Sequence, residues 1–224
     1  MTLVIRNCRL YTDESGSRLS TLVIEDGTIR SIQPSTAPEG ELPEDARVID
    51  AESRIVIPGL IEVHIQGAGG ADVLDGTRES LETIARALAS TGVTSYLGTT
   101  VVRPMDGNRH LLAAREAVDQ DLGGARLLGV HLEGPFINPL KKGGLDPASI
   151  YPSSESALQE IMDVCAGTLK MMTIAPELPG NLDVIRELSR HGVVPAFAHS
   201  NATYEETLAG FDAGIRHVTH IFNA

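Results

Sequence analysis

A chain of 224 residues, 42% hydrophobic and 21% charged, can bury enough apolar surface for one large domain, or one with a small appendage, which excludes a wholly disordered chain. Its 30 acidic against 18 basic residues leave a net charge of −12. Such a surface repels phosphate backbones and anionic lipid, so neither a nucleic-acid partner nor a membrane surface is expected.

In chain order, the opening segment MTLVIRNCRLYTDESG turns polar too soon for a signal peptide, and no later apolar run approaches the roughly 20 residues of a membrane span. Leu3-Val4-Ile5 is β-rich. Leu22–Glu25, Asp26-Gly27 and Thr28–Ile32 predict a hairpin, because Asp-Gly tolerates the positive φ values of a tight turn. Ser35 to Asp45, rich in proline and acid, reads as an exposed loop. Val48-Ile49 and Arg54–Ile57 resume the strand pattern, so residues 1–57 form a small β unit. Cys8 and Cys165 build no disulfide framework, and a reducing, cytoplasmic setting is the simplest reading.

After Pro58-Gly59 short buried strands alternate with amphipathic helices. The strands are expected at Ile61–Gln66, Thr94–Thr100, Leu127–Glu133, Lys170–Glu177, Val193–Ser200 and Val218–Asn223. Several are almost continuously apolar, as strands of a parallel sheet covered on both faces are. Leu81, Ile84, Ala85 and Leu88 share a helical face, as do Leu158, Ile161, Met162 and Cys165. Asn181 is placed to cap the helix carrying Ile185 and Leu188. Thr203 with Glu206 forms a capping box for the helix carrying Leu208 and Phe211. Gly92, Gly167, Gly192 and Gly214 follow helices where a left-handed residue ends the last turn. This pattern predicts a (β/α) barrel, with an open doubly wound sheet as the alternative. A full barrel needs eight strands and about 250 residues, more than residues 58–224 supply, so the chain is expected to be the N-terminal part of a longer protein.

In a parallel α/β array reactive side chains collect at the C-terminal ends of strands. Those ends carry His64 and Gln66, Glu133, His199 and His220. A carboxylate and two imidazoles from three strands can surround one divalent ion and leave a position open for water, as in catalytic zinc sites. A lone histidine at a strand end is usually an ordinary hydrogen-bonding residue; candidates at equivalent positions of successive units are harder to ascribe to chance. His110, His191 and His217 read as structural or solvated. His131, two residues before Glu133, is either a partner of the site or an inward-packed structural residue. Gly67-Ala68-Gly69-Gly70 fails the dinucleotide pattern, because Asp72 stands where its third glycine would fall, and reads as a flexible loop beside the site. Lys141-Lys142-Gly143-Gly144 reads by default as a solvated loop, with a basic cover for a phosphorylated ligand as the alternative.

Val56-Ile57-Pro58-Gly59-Leu60-Ile61-Glu62-Val63-His64 resembles the first barrel strand of amidohydrolases. His131-Leu132-Glu133-Gly134-Pro135-Phe136 with Lys141-Lys142-Gly143, Ala198–Thr203 and Thr219–Ala224 together resemble the N-acetylglucosamine-6-phosphate deacetylase family. The resemblance runs through nearly the whole chain. It implies an α/β fold: an incomplete (β/α)8 TIM-type barrel with about six strands over residues 58–224, and a small N-terminal β-sandwich unit over residues 1–57. It implies a metal-dependent hydrolase of amino-sugar catabolism that removes acetate from N-acetylglucosamine 6-phosphate. Carried over by position, Glu133, His199 and His220 match metal ligands. Gly144, Asn223 and Ala224 match substrate-contacting positions. The general-base aspartate and the basic phosphate contacts are implied beyond Ala224. Zinc is the implied cofactor, with iron or manganese as alternatives, and a homodimer the implied assembly. In two-metal members of the family the first strand carries His-x-His. Here it is His64-Ile65-Gln66, so one firm metal is expected, with His64 as a candidate additional ligand. Leu145 stands where the family commonly has a histidine beside the substrate carbonyl. Another amidohydrolase acting on a different N-acyl or cyclic amide, and a non-catalytic fragment, are the alternatives.

Overall fold

The computed structural model describes residues 1–11, 19–35 and 46–223. The loop expected up to Asp45 therefore lies, beyond Ser35, outside the described residues. Contacts divide the chain into two compact units, Met1–Pro58 and Gly59–Ala224.

The first unit holds β1 (Thr2–Leu10), β2 (Leu19–Glu25), β3 (Thr28–Pro34), β4 (Arg47–Asp50) and β5 (Ile55–Val56). They form one sheet in the order β3-β2-β1-β4, with β5 also paired to β1. The β2–β3 hairpin closes Glu25 against Thr28. Asp26 and Gly27 in its turn have φ values of 49° and 77°, both positive as a type I′ turn requires. Cys8, Leu22 and Ala51 are the buried center of the unit, while Ile29 and Ile32 on β3 are exposed. The unit is a single mixed sheet; the second layer of a sandwich is not among the described residues.

The second unit is a parallel sheet of β6 (Leu60–Ile65), β9 (Val93–Thr100), β10 (Arg126–Glu133), β11 (Leu169–Ile174), β12 (Val194–Phe197) and β13 (His217–Val218). Spatial order follows chain order throughout, from β6 to β13. An open doubly wound sheet reverses its strand order at a switch point; this one does not, and it winds as a barrel does. Between β6 and β9 the Gly-rich segment folds into a tight hairpin of β7 (Gly67–Ala68) and β8 (Ala71–Asp72), an ordered element in place of the expected flexible loop.

Helices α1 (Arg78–Ala89), α2 (Arg109–Ala117), α3 (Glu155–Cys165), α4 (Asn181–Arg190) and α5 (Tyr204–Ala213) join the strands. Thr77 caps α1 and Ser154 caps α3 through their hydroxyls, and Thr203 and Glu206 make the full capping box of α5. Leu81, Ile84, Ala85 and Leu88 of α1 and Leu158, Ile161 and Cys165 of α3 are buried in one core. Two expectations fail. Asn181 does not cap α4: the cap position is Gly180, with no side-chain cap bond, and the fully buried Asn181 amide instead donates to the carbonyls of Phe136 (2.9 Å) and Ala175 (2.7 Å). On α5, Leu208 and Phe211 are exposed. That helix packs through its small residues, because a Cβ on Gly210 would stand 2.8 Å from Pro176.

Three strands end earlier than their apolar runs. β11 stops at Ile174, β12 at Phe197 and β13 at Val218. Pro176 has no N–H for the ladder, and His199 and His220 take positive φ values of 49° and 57° that leave the β region.

Candidate metal center

Four strands bring the site together at their C-terminal ends. β10 delivers Glu133 as its last residue, and β6 carries His64. His199 and His220 follow two residues after the last residues of β12 and β13. Left-handed backbone costs a β-carbon-bearing residue roughly 1–2 kcal/mol; here it turns both rings inward where an extended chain would carry them past. Glu133 is 3% exposed and His199 5%.

The geometry centers on one oxygen. Glu133 Oε1 lies 2.9 Å from His220 Nε2, 3.1 Å from His199 Nε2 and 3.4 Å from His64 Nε2. Candidate ligand atoms of His64, Glu133 and His220 all fall within 4.8 Å of one another. The other carboxylate oxygen is engaged by the Gln66 amide, which donates to Glu133 Oε2 at 2.7 Å.

Hydrogen bonds behind the rings fix their state. His199 Nδ1–H donates to the Lys141 carbonyl at 2.8 Å, so a neutral ring turns its Nε2 lone pair toward the carboxylate. Two electron-rich atoms 3.1 Å apart in a buried site need a cation between them, a proton or a metal ion. The donor set fits a divalent ion: carboxylate oxygen and imidazole nitrogen, delivered at four strand ends, with a second hydrogen bond in place on His199. Burial alone would raise the Glu133 carboxyl, but the hydrogen bonds from His199 and His220 and the field of His64 outweigh it and hold it at about 2. Burial lowers His64. Burial also pulls on His199, but Glu133 and the Lys141 carbonyl overcome it and the net shift is upward. His131 is fully buried behind His64, their Nδ1 atoms 3.4 Å apart. It donates through Nδ1 to the Val63 carbonyl and accepts from Thr173 Oγ1, and burial depresses it to about 4.

A cavity of about 790 Å³ opens over this cluster, lined by His64, Glu133, His199 and His220 together with Gln66, the β7–β8 hairpin through Asp72, Gly144 and Leu145. A Cβ on Gly144 would meet nothing within 4 Å. Asn223 is exposed and is not one of the residues lining the cavity; its N–H donates to the His220 carbonyl. Ala224 lies outside the described residues. Lys142 folds back onto the carbonyls of Gly143 and Leu145. His110 is buried against the Val101 carbonyl, and His191 pairs with Glu187. Sequence reasoning passed over Asp72 and Glu177. Asp72 carried one signal, its position closing the Gly-rich segment after a strand; Glu177 carried one too, its place at the end of the expected strand Lys170–Glu177, although its partners are distant in the chain.

A model of the amidohydrolase family matches residues 55–224. The chain is 35% identical to N-acetylgalactosamine-6-phosphate deacetylase of Escherichia coli O157:H7, over 100% of this chain and 57% of that protein. It is 30% identical to N-acetylglucosamine-6-phosphate deacetylase of Bacillus subtilis (strain 168), with the same coverage. In structure it is similar to N-acetyl-D-glucosamine-6-phosphate deacetylase of Mycobacterium smegmatis, with a TM-score of 0.86 and 28% identity over 99% of this chain and 56% of that one. A mutant of the Mycobacterium smegmatis enzyme in complex with N-acetyl-D-glucosamine-6-phosphate gives a TM-score of 0.84 at 29% identity, over 99% of this chain and 56% of that one. The chain thus spans a little over half the length of the relatives it matches. Matched over most of its length and carrying histidines and a glutamate at the ends of four of its six barrel strands, the chain belongs to the amidohydrolase family.

Proposed function

We propose that the protein to which this chain belongs hydrolyses the acetamide of N-acetylglucosamine 6-phosphate, releasing acetate and glucosamine 6-phosphate in amino-sugar catabolism. The observation that carries this reading is the single Glu133 oxygen ringed by imidazoles from three other strands, beneath a cavity the size of small-molecule sites. The deacetylases among its relatives, one of them bound to the phosphorylated sugar, supply the substrate class.

Glu133, His199 and His220 are the proposed ligands, with His64 as a fourth donor, and zinc is the preferred ion, with iron and manganese accepting the same donors. Such an ion, when bound, acidifies water and polarises the acetamide carbonyl. The chain's own residues prepare that chemistry. Gln66 holds Glu133 Oε2 and presents Oε1 alone to the rings, which supports one ion rather than two. Lys141 fixes the His199 tautomer. The β7–β8 hairpin, Gly144 and Leu145 line the cavity over the cluster. Gly144, Asn223 and Ala224 are proposed substrate contacts, and the proton shuttle is assigned to an aspartate outside this sequence. A cytoplasmic homodimer is the proposed setting; two buried free cysteines support a reducing compartment.

The test is acetate release by the full-length protein from N-acetylglucosamine 6-phosphate, its 4-epimer and the unphosphorylated sugars, with Glu133→Gln as control. Activity confined to the phosphorylated sugars, and loss of both metal and activity in the variant, are expected. Preference for the 4-epimer would instead favor the galactosamine reading that the Escherichia coli relative suggests. Unchanged activity and metal content in Glu133→Gln would refute the assignment.

A further inference from the structure

His199 is not held by the sheet. The last ladder partner of β12 is Phe197, opposite Ile174, and His199 lies beyond it with a left-handed φ of 49°. Its carbonyl accepts from the Asn138 N–H at 2.9 Å, and its ring is tied to Lys141. Those bonds leave the chain after His199 unanchored, and the only anchor there among the described residues is Glu177.

Glu177 sits in the loop after β11, and its carboxylate spans three loops. Oε1 accepts from Asn138 Nδ2 (2.9 Å) in the loop after β10 and from the Asn201 N–H (2.7 Å) in the loop after β12. Oε2 accepts from Ser200 Oγ at 2.7 Å, and the same hydroxyl oxygen accepts from the Ala202 N–H at 3.0 Å. Among the described residues no lysine, arginine or histidine forms an ion pair with Glu177, so its charge is spent entirely on these short bonds. Asn138 is shared: its side chain meets Glu177 while its N–H holds the His199 carbonyl.

We infer that Glu177 is a positioning residue, a clamp that holds the left-handed bend at His199 and so sets the distance from the His199 ring to Glu133. The inference rests on the metal-site reading proposed above. Partners behind metal ligands commonly change metal affinity 10–100-fold when removed, and the clamp places Glu177 in that class although it touches no ligand side chain. The geometry demands an acceptor at Oε1, where both partners are N–H donors, and at Oε2 meets a hydroxyl that can donate or accept. In Glu177→Gln the amide oxygen keeps both Oε1 contacts, and the amide nitrogen can donate to Ser200 Oγ.

The experiment measures zinc affinity of the full-length protein by competition with a chromophoric chelator, alongside melting of the metal-free forms. Glu177→Ala should weaken zinc binding roughly 10–100-fold, and Glu177→Gln should restore it to within about threefold of wild type. An unchanged zinc Kd in Glu177→Ala, whatever its melting temperature, overturns the clamp, because a loop staple alone would lower stability without touching the metal. Glu177→Gln as weak as Glu177→Ala also overturns it, since charge would then be the requirement. Should Glu177→Ala fail to fold, Ser200→Ala removes the Oε2 arm together with the Ala202 N–H contact on the same hydroxyl; weakened zinc binding there supports the clamp and unchanged binding overturns it. A wild-type protein that binds no divalent metal overturns the metal reading, and the clamp with it; wild-type binding with an unaffected Glu177→Ala overturns the clamp only.

Discussion

Asn181 offers a test of how the loops below the site are stapled. Its Nδ2 donates to the Phe136 and Ala175 carbonyls at 2.9 and 2.7 Å from a fully buried position. Both carbonyls keep a second donor, from the N–H groups of Ala175 and Leu178. Asn181→Ala therefore loses two bonds without orphaning an acceptor, about 2 kcal/mol at a net 1 kcal/mol each. Asn181→Asp is nearly isosteric but sets an oxygen against both carbonyls. A buried carboxyl facing acceptors is expected to rise about three pKa units from its unfolded value near 3.9, which corresponds to about 4 kcal/mol at pH 7. The folded variant would then hold its proton between about pH 4 and 7 while the unfolded chain releases it, so stability falls as pH rises through that window. Urea unfolding at pH 4.5 and 7 reads this directly. The aspartate variant should match the alanine variant near pH 4.5 and fall well below it at pH 7. Equal stability of the two at both pH values would refute the assigned donor role.

Other consequences are simpler to check. Burial raises the Cys165 thiol to about 11 and the Cys8 thiol as well, so at pH 8 the native protein should resist iodoacetamide and label at both positions only in urea; fast native labeling of either would contradict their placement. A Cβ on Gly124 would stand 2.4 Å from the backbone of Ala85, whose carbonyl accepts from the Ala125 N–H, so Gly124→Ala should lower stability by about 1–3 kcal/mol in urea titration; an unchanged midpoint would argue against that contact. Chelation by EDTA should lower the melting temperature of the full-length protein and zinc should restore it, since a ligand at 100 times its Kd contributes about 2.7 kcal/mol. A melting curve indifferent to chelator would count against a resident ion.

Much of the site was legible because chemistry interrupts hydrophobicity. Glu133, His199 and His220 each follow a buried apolar run, and a polar residue in that place has few roles besides a site at the barrel mouth. The β2–β3 hairpin and the α5 capping box were legible for a related reason, since each depends on neighbors in sequence. What escaped depends on distant partners. Gln66 and Glu177 each stand at the end of an expected strand, but their partners, Glu133 across 67 positions and Asn138 across 39, have no local mark. Asn181 looked like a helix cap, but the cap position is Gly180, and the Asn181 amide nitrogen is taken up by two nearby carbonyls. Leu208 and Phe211 have the spacing of a buried face, yet Gly210 permits an approach that larger residues would block, and the helix turned its small side inward. The apolar runs of β11, β12 and β13 overstated their ladders, because burial continues beyond the last paired residue.

The left-handed backbone at His199 and His220 has an evolutionary cost. Glycine and asparagine adopt that conformation more readily than histidine does, so conformational relief and retention of the rings pull in opposite directions at both positions. A library screened only for thermal tolerance would be free to drift toward glycine at those two places and discard the imidazoles. Screening the same library for heat resistance and bound metal together would keep them, and the residues retained under the double screen but lost under the single one would map the part of the molecule that function, rather than folding, keeps in place.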